Sequence, residues 1–163
     1  MTMIIDGTNG LTFNNATTQN SGGKVLQVVN VTFSTVVTST TNTWADTGLS
    51  ATITPLFSTS KILVECHAQD VTKGTSNTQV AFRLLRGATA ITTMGTSAAY
   101  SGNTLQINAG SVSTSYLDSP ATTSATTYKL QIANDGNTGT VYLNDGYNLG
   151  NPASVITLME ISA

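Results

Sequence analysis

Cys66 and His67 are adjacent residues whose side chains could act together in catalysis. A thiol beside an imidazole is the nucleophile and base of many hydrolases. They lie inside the alternating segment Lys61 to Gln69, which the pattern predicts to be a β-strand. Adjacent residues in a strand point to opposite faces, so the two side chains cannot hydrogen-bond to each other. We therefore expect Cys66 in the core and His67 on a surface or an interface.

The eight carboxylates are the other groups that could act on a substrate, and they are scattered along the chain. A glycosidase needs two of them facing each other across a cleft, and the spacing nominates no pair. Asp135 and Asp145 stand in successive Gly/Asn loops, where they are either calcium ligands or, as we favour, parts of plain hairpin turns. We expect no enzyme activity, with no catalytic residue, no cofactor and no metal site.

The composition of the 163 residues favours an all-β protein with a neutral surface rich in hydroxyl groups. Only 9% of the residues are charged, against about 25% in an ordinary soluble domain, whereas the chain has 31 Thr, 16 Ser and 14 Asn. Six dispersed basic residues and a net charge of −2 cannot match a phosphate backbone, so we expect no nucleic-acid partner. No apolar run approaches the roughly 20 residues that span a bilayer, so we expect no membrane partner either.

Short segments of period-two alternation recur from Lys24 to the end of the chain, separated by clusters of Gly, Asn, Ser and Thr. This pattern predicts one domain over residues 24–163, an all-β, jelly-roll-like sandwich of antiparallel strands, without a long helix. The predicted strands are 24–33, 36–37, 51–54, 61–69, 79–86, 89–94, 104–109, 111–117, 128–134, 140–144 and 155–161.

Residues 1–23 differ from the rest, because isolated apolar side chains stand among densely spaced turn-forming pairs such as Asp6-Gly7 and Asn9-Gly10. Such a segment cannot bury its own apolar residues. We predict an extended N-terminal arm that docks on another surface, the alternative being a disordered terminus. Its candidate docking residues are Met3, Ile4, Ile5, Leu11 and Phe13.

Leu63 and Leu85 break the alternation of their strands, because each is out of phase with the predicted core residues beside it. Singly exposed leucines are common and need no partner. In a chain with so few charges to keep its copies apart, we favour the interpretation that they form a subunit interface. Tyr116 and Tyr128 are candidates to extend that interface, because tyrosine is amphipathic and costs little entropy to order.

Several short segments of the chain are similar to segments of known proteins. Residues 10–19, GLTFNNATTQ, resemble the G-[IL]-T-F-P-D-G-T-T-Q segments of phage tail-fibre and virion proteins, with Asn14-Asn15-Ala16 in place of Pro-Asp-Gly. Other segments are similar to a small virion-protein domain common in phages of aquatic bacteria. These segments are residues 23–29, 47–55, 60–64, 85–87, 116–123, 128–131 and 156–161.

The resemblance implies a jelly-roll domain that is made in the bacterial cytoplasm, assembles as a homotrimer and is displayed on the virion surface. The favoured function is that of a non-enzymatic capsid decoration or cement protein, with the arm bound to the major capsid protein or another virion protein. The alternative is a tail-fibre or receptor-binding module whose loops contact host surface glycan.

Overall fold

The computed structural model describes residues 24–102, 107–108, 110–136, 139–146 and 150–162, together with three short strands within residues 4–19. All strand pairs in this part of the chain are antiparallel, and it contains no helix. The strands are β1 Ile4–Asp6, β2 Gly10–Thr12, β3 Thr18–Gln19, β4 Val25–Phe33, β5 Val37–Ser39, β6 Ala45–Ile53, β7 Lys61–Ala68, β8 Thr72–Lys73, β9 Thr78–Arg86, β10 Thr89–Ser101, β11 Ile107–Asn108, β12 Val112–Asp118, β13 Thr126–Asn134, β14 Val141–Leu143 and β15 Ser154–Ile161.

Two four-stranded sheets form the body of the domain. Sheet I has the strand order β12-β7-β15-β4, and sheet II has the order β10-β9-β13-β6. A third sheet of short strands, with the order β11-β8-β14-β5, is built from segments that follow the ends of the longer strands. The prediction of an all-β chain of antiparallel strands is confirmed.

The hydrophobic core lies between sheets I and II, and the period-two alternation of the sequence explains it. Along β15, for example, buried and half-buried residues alternate from Ser154 to Ile161. Every second side chain of a strand points to the same face, so one face of each sheet is apolar. The buried core residues of the five main contributing strands are Leu49, Ala51, Ile53, Ile62, Val64, Cys66, Ala68, Val80, Phe82, Leu84, Tyr128, Leu130, Ile132, Ile156 and Leu158.

Strand β6 is longer than the sequence predicts, because it begins at Ala45 rather than Ala51. Its first inward residue is the polar Thr47, whose hydroxyl donates a hydrogen bond to the Leu130 carbonyl at 2.9 Å. Gly48 follows with a φ of +93°, and a Cβ there would lie 3.0 Å from the Phe33 ring. Because Thr47 is polar and Gly48 has no side chain, the alternation of apolar residues does not extend into the first half of β6.

The two Asp-Gly pairs do not form the hairpin turns that the sequence predicts. Asp135-Gly136 follows β13 of sheet II and leads to β14 of the short-strand sheet, and Asp145-Gly146 leads from there to β15 of sheet I. Asn144 fixes the second connection, because its side-chain amide donates to the carbonyls of Phe33 at 2.9 Å and Thr35 at 3.1 Å. Both segments are therefore connections between sheets.

The described strands of the N-terminal arm pair with one another. Ile5 in β1 pairs with Leu11 in β2, and Leu11 pairs with Gln19 in β3. The strands are two or three residues long, as the density of turn-forming pairs predicts, and the chain reverses direction between them. Met3 and Phe13 lie outside the described residues.

Candidate assembly surface

Cys66 and His67 lie on opposite faces of β7, as the sequence predicts. Cys66 is fully buried, and burial raises the pKa of its thiol to about 12. His67 is exposed on the outer face of sheet I. Within the described part of the chain, no group of three His, Cys, Asp or Glu side chains could hold a metal ion.

Tyr128 is a core residue, which corrects its prediction as an interface residue. It shares its phase in β13 with Leu130 and Ile132 and is fully buried. Its hydroxyl donates a hydrogen bond to Asp118 Oδ2 at 2.7 Å. Burial, aided by the Asp118 carboxylate, raises the pKa of the Tyr128 phenol far above its usual value. Asp118 also accepts hydrogen bonds from Arg86 Nη1, at 2.9 Å on Oδ1 and 2.8 Å on Oδ2. Tyr128, Asp118 and Arg86 thus form a hydrogen-bonded group at one end of the core.

Leu85 and Tyr116 also differ from their predicted positions. Leu85 does point away from the core cluster, but only 3% of its surface is exposed. Its cross-strand neighbours are Lys129 on β13 and Ala90 on β10, and such a leucine is not available to a partner. Tyr116 pairs with the core residue Val64 and is half-buried, so it faces the inside of the sandwich.

Leu63, in contrast, belongs to a continuous line of apolar side chains on the outer face of sheet I. Its partner on β12 is Leu117, its partner on β15 is Met159, and Met159 pairs in turn with Val28 on β4. These four residues, which we call the apolar row, cross the whole sheet. Leu117 and Val28, at the two ends of the row, are each 57% exposed, and Leu63 and Met159 are half-buried.

Polar residues border the apolar row on one side. The next outward-facing set across the four strands is Ser115, Glu65, Thr157 and Asn30, and Asn30 Nδ2 donates to Thr157 Oγ1 at 2.8 Å. A line of apolar side chains next to a hydroxyl-rich surface is typical of a protein interface with a polar rim. Fully covering a side chain such as Val, Leu or Met is worth roughly 1.5–3 kcal/mol.

More exposed apolar surface lies on the side of the apolar row that faces away from the polar set. Val25, at the start of β4, is 54% exposed. The loop between β6 and β7 adds Leu56 and Phe57, which are 59% and 56% exposed. Sequence reasoning missed all three residues. Leu56 and Phe57 lie in a loop, where alternation gives no signal. The alternation of β4 places Val25 in phase with Val29, but the pairing with β15 shifts register between Glu160 and Ile161, next to Val25.

Glu160 holds this loop in place from inside the sandwich. Its carboxylate is fully buried, and Oε1 accepts hydrogen bonds from the backbone amides of Leu56 at 2.8 Å and Phe57 at 3.4 Å. Oε2 accepts a hydrogen bond from Gln27 Nε2 at 2.6 Å. Burial alone raises the pKa of the Glu160 carboxyl, but these donors outweigh burial and hold the pKa below its ordinary value of 4.5.

A search with protein-family models and a search of curated proteins each find no match to this chain. The described residues include no helix that is long and apolar enough to cross a membrane. The apolar row and the neighbouring loop are therefore the features from which a function has to be inferred.

We predict that Glu160→Gln lowers the free energy of unfolding at neutral pH by about 1–3 kcal/mol, because a buried set of donors loses its charged acceptor. The folded-state pKa of Glu160 is below 4.5, so its contribution to stability is present above that pH and is lost as the pH falls through the folded-state pKa. Urea unfolding between about pH 7 and about pH 3 should therefore show the two proteins converging in acid. A stability difference that stays constant over this range would contradict the assignment.

We predict that Leu63→Asp combined with Leu117→Asp prevents self-association, because the charges would be buried without partners at the centre and edge of the apolar row. Light scattering should report the mass of a single chain. The matched control is Ala45→Asp with Ser50→Asp, which adds the same charge to exposed positions of β6 in sheet II, away from the row, and should leave the assembly unchanged. An assembled mass in the leucine variant would place the interface elsewhere.

Proposed function

We propose that this protein is a non-enzymatic bacteriophage virion protein, a homotrimeric capsid decoration protein on the particle surface. The observation that carries the proposal is the apolar row, which crosses all four strands of sheet I on a face otherwise rich in hydroxyl groups. The same patch repeated on every copy supports a closed symmetric assembly. The resemblance of residues 10–19 to phage virion segments supports the proposal that the particle is a bacteriophage virion.

We further propose that the sandwich is a jelly roll, and the strand order supports this. Eight strands in chain order, β4, β6, β7, β9, β10, β12, β13 and β15, can be numbered first to eighth. The first pairs with the eighth, the second with the seventh, the third with the sixth and the fourth with the fifth. One long hairpin wrapped around itself into two sheets would pair its strands in this order, and this agreement supports the proposal of a jelly roll.

The arm is proposed to attach the trimer to the major capsid protein or to another virion protein. The proposal is supported by its apolar residues, among them Ile4, Ile5 and Leu11, in a segment of short strands outside the sandwich. The arm joins the domain at Lys24, whose backbone amide donates to Ser162 Oγ at 2.8 Å and whose carbonyl accepts from the Ser162 amide at 2.9 Å. The point of attachment is therefore fixed to the C-terminal end of the domain.

A receptor-binding role is the second candidate function, and one observation favours it. Arg86, Pro120 and the Thr126–Thr127 segment line an open cleft of about 370 Å³. A guanidinium beside threonine hydroxyls suits the carboxylate and hydroxyl groups of an acidic glycan. The cleft lacks an aromatic side chain on which a sugar ring could stack, so we favour the decoration role.

The arm is tested by replacing Ile4, Ile5 and Leu11 together with serine in the full chain. We expect the variant to remain a trimer, because the apolar row is intact, and to lose binding to virions that lack this protein. Co-sedimentation with such virions measures the loss, and light scattering measures the trimer. Normal co-sedimentation of the variant would contradict anchoring by the arm.

The amount of the protein in the particle separates the two candidate functions. A decoration protein covers the shell, so we expect its quantity in purified virions to be comparable with that of the major capsid protein. Quantitative mass spectrometry of dissociated virions gives the ratio. A quantity far below that of the capsid protein would favour a receptor-binding module at a fibre tip.

A further inference from the structure

Leu56 and Phe57 form the most exposed pair of neighbouring large apolar side chains in the described part of the chain. They follow Pro55 in the loop between β6 and β7, residues 54–60. We call residues 54–57 of this loop the end loop. Exposed apolar residues are common singly, but two adjacent ones in a loop on a surface of Thr, Ser and Asn are a candidate contact.

The end loop is held in one conformation by hydrogen bonds to the domain. Glu160 accepts the amides of Leu56 and Phe57, and the Phe57 carbonyl accepts the Ser60 amide at 3.1 Å. Gln27 Nε2 donates to the Thr54 carbonyl at 2.7 Å as well as to Glu160. The backbone of the loop is thus fixed at both of its ends while its two apolar side chains stay in solvent.

A buried carboxylate is a costly way to hold an ordinary loop. Taking a charge out of water is favourable only when several well-placed donors replace the water, as they do around Glu160. The result is a loop that loses little conformational freedom when Leu56 and Phe57 are covered. Pre-organisation of this kind raises affinity, because the entropy of ordering is not lost on binding.

The end loop lies near the root of the arm, and Gln27 and the end of β15 connect the two. Gln27, which contacts the Thr54 carbonyl, lies three residues after Lys24, where the arm enters the domain. Glu160 holds the loop and Ser162 holds the arm root, and the two residues are two positions apart at the end of β15 and just beyond it. A protein that binds the arm close to its root would therefore lie beside this end of the sandwich, near Leu56 and Phe57.

We propose that the end loop is a second docking element, with Leu56 and Phe57 as anchor side chains, for the same virion protein that binds the arm. This inference rests on the proposed function. The partner should present an apolar depression close to the site of the arm. Two linked contacts bind more tightly than either alone, because the first raises the effective concentration of the second.

The test is the binding of full-length variants to virions that lack this protein. We expect Leu56→Ser with Phe57→Ser to bind about tenfold more weakly or worse, since a few side chains buried at the centre of a contact carry most of its binding energy. Tyr100→Ser is the matched control, because Tyr100 is 56% exposed but lies on β10, near the end where Ser101 pairs with Thr78. It should bind like the wild-type protein.

The outcomes separate this inference from the proposed function. If the loop variant binds like the wild-type protein while the arm variant does not bind, the end loop is no docking element and the decoration role stands. If the wild-type protein itself does not bind the virions, the proposed function fails and this inference fails with it. A loop variant that is monomeric by light scattering would show that the end loop contacts a second copy instead, which also overturns the inference. Thermal unfolding of each variant verifies that it is folded.

Discussion

The insertion of β15 between β4 and β7 is the constraint on which the rest of the structure depends. The last strand of the domain occupies an inner position of sheet I, pairing with β4 from Ser154 to Ile161 and with β7 from Val155 to Ile161. It supplies Ile156 and Leu158 to the core and Glu160 to the end loop. Sheet I is therefore incomplete until the C-terminal strand has been added, and pairing over such sequence distances makes folding slow.

The same strand supports both of the proposed contact surfaces. Met159 lies between Leu63 and Val28 in the apolar row, and its chain neighbour Glu160 points the opposite way, toward the end loop. Met159 thus contributes to the apolar row on the outer face of sheet I. Glu160, the next residue, holds the end loop from the inner face. The period-two geometry of a strand makes this division possible.

Three of the few charged side chains of this protein are buried rather than exposed to solvent. Lys73, Asp118 and Glu160 are buried, although charged residues are scarce in this sequence. Lys73 Nζ donates to the Ser101 carbonyl at 2.7 Å, and Asp118 and Glu160 are surrounded by the donors described above. These three charged side chains hold loops and strand ends in place. Hydroxyl and amide groups keep most of the surface hydrated.

The sequence predicts the strands well and their lateral neighbours poorly. Leu63 and Leu85 carry the same signal, one leucine out of phase in a strand, yet only Leu63 belongs to an exposed apolar line. The difference comes from the adjacent strands, which bring Leu117 and Met159 beside Leu63 but Lys129 and Ala90 beside Leu85. Such neighbours depend on strand order and register, which alternation within one strand does not encode. Assembly surfaces on sheets are consequently products of the fold as a whole, and the apolar row exists only because four outward residues, unremarkable one by one, fall into register.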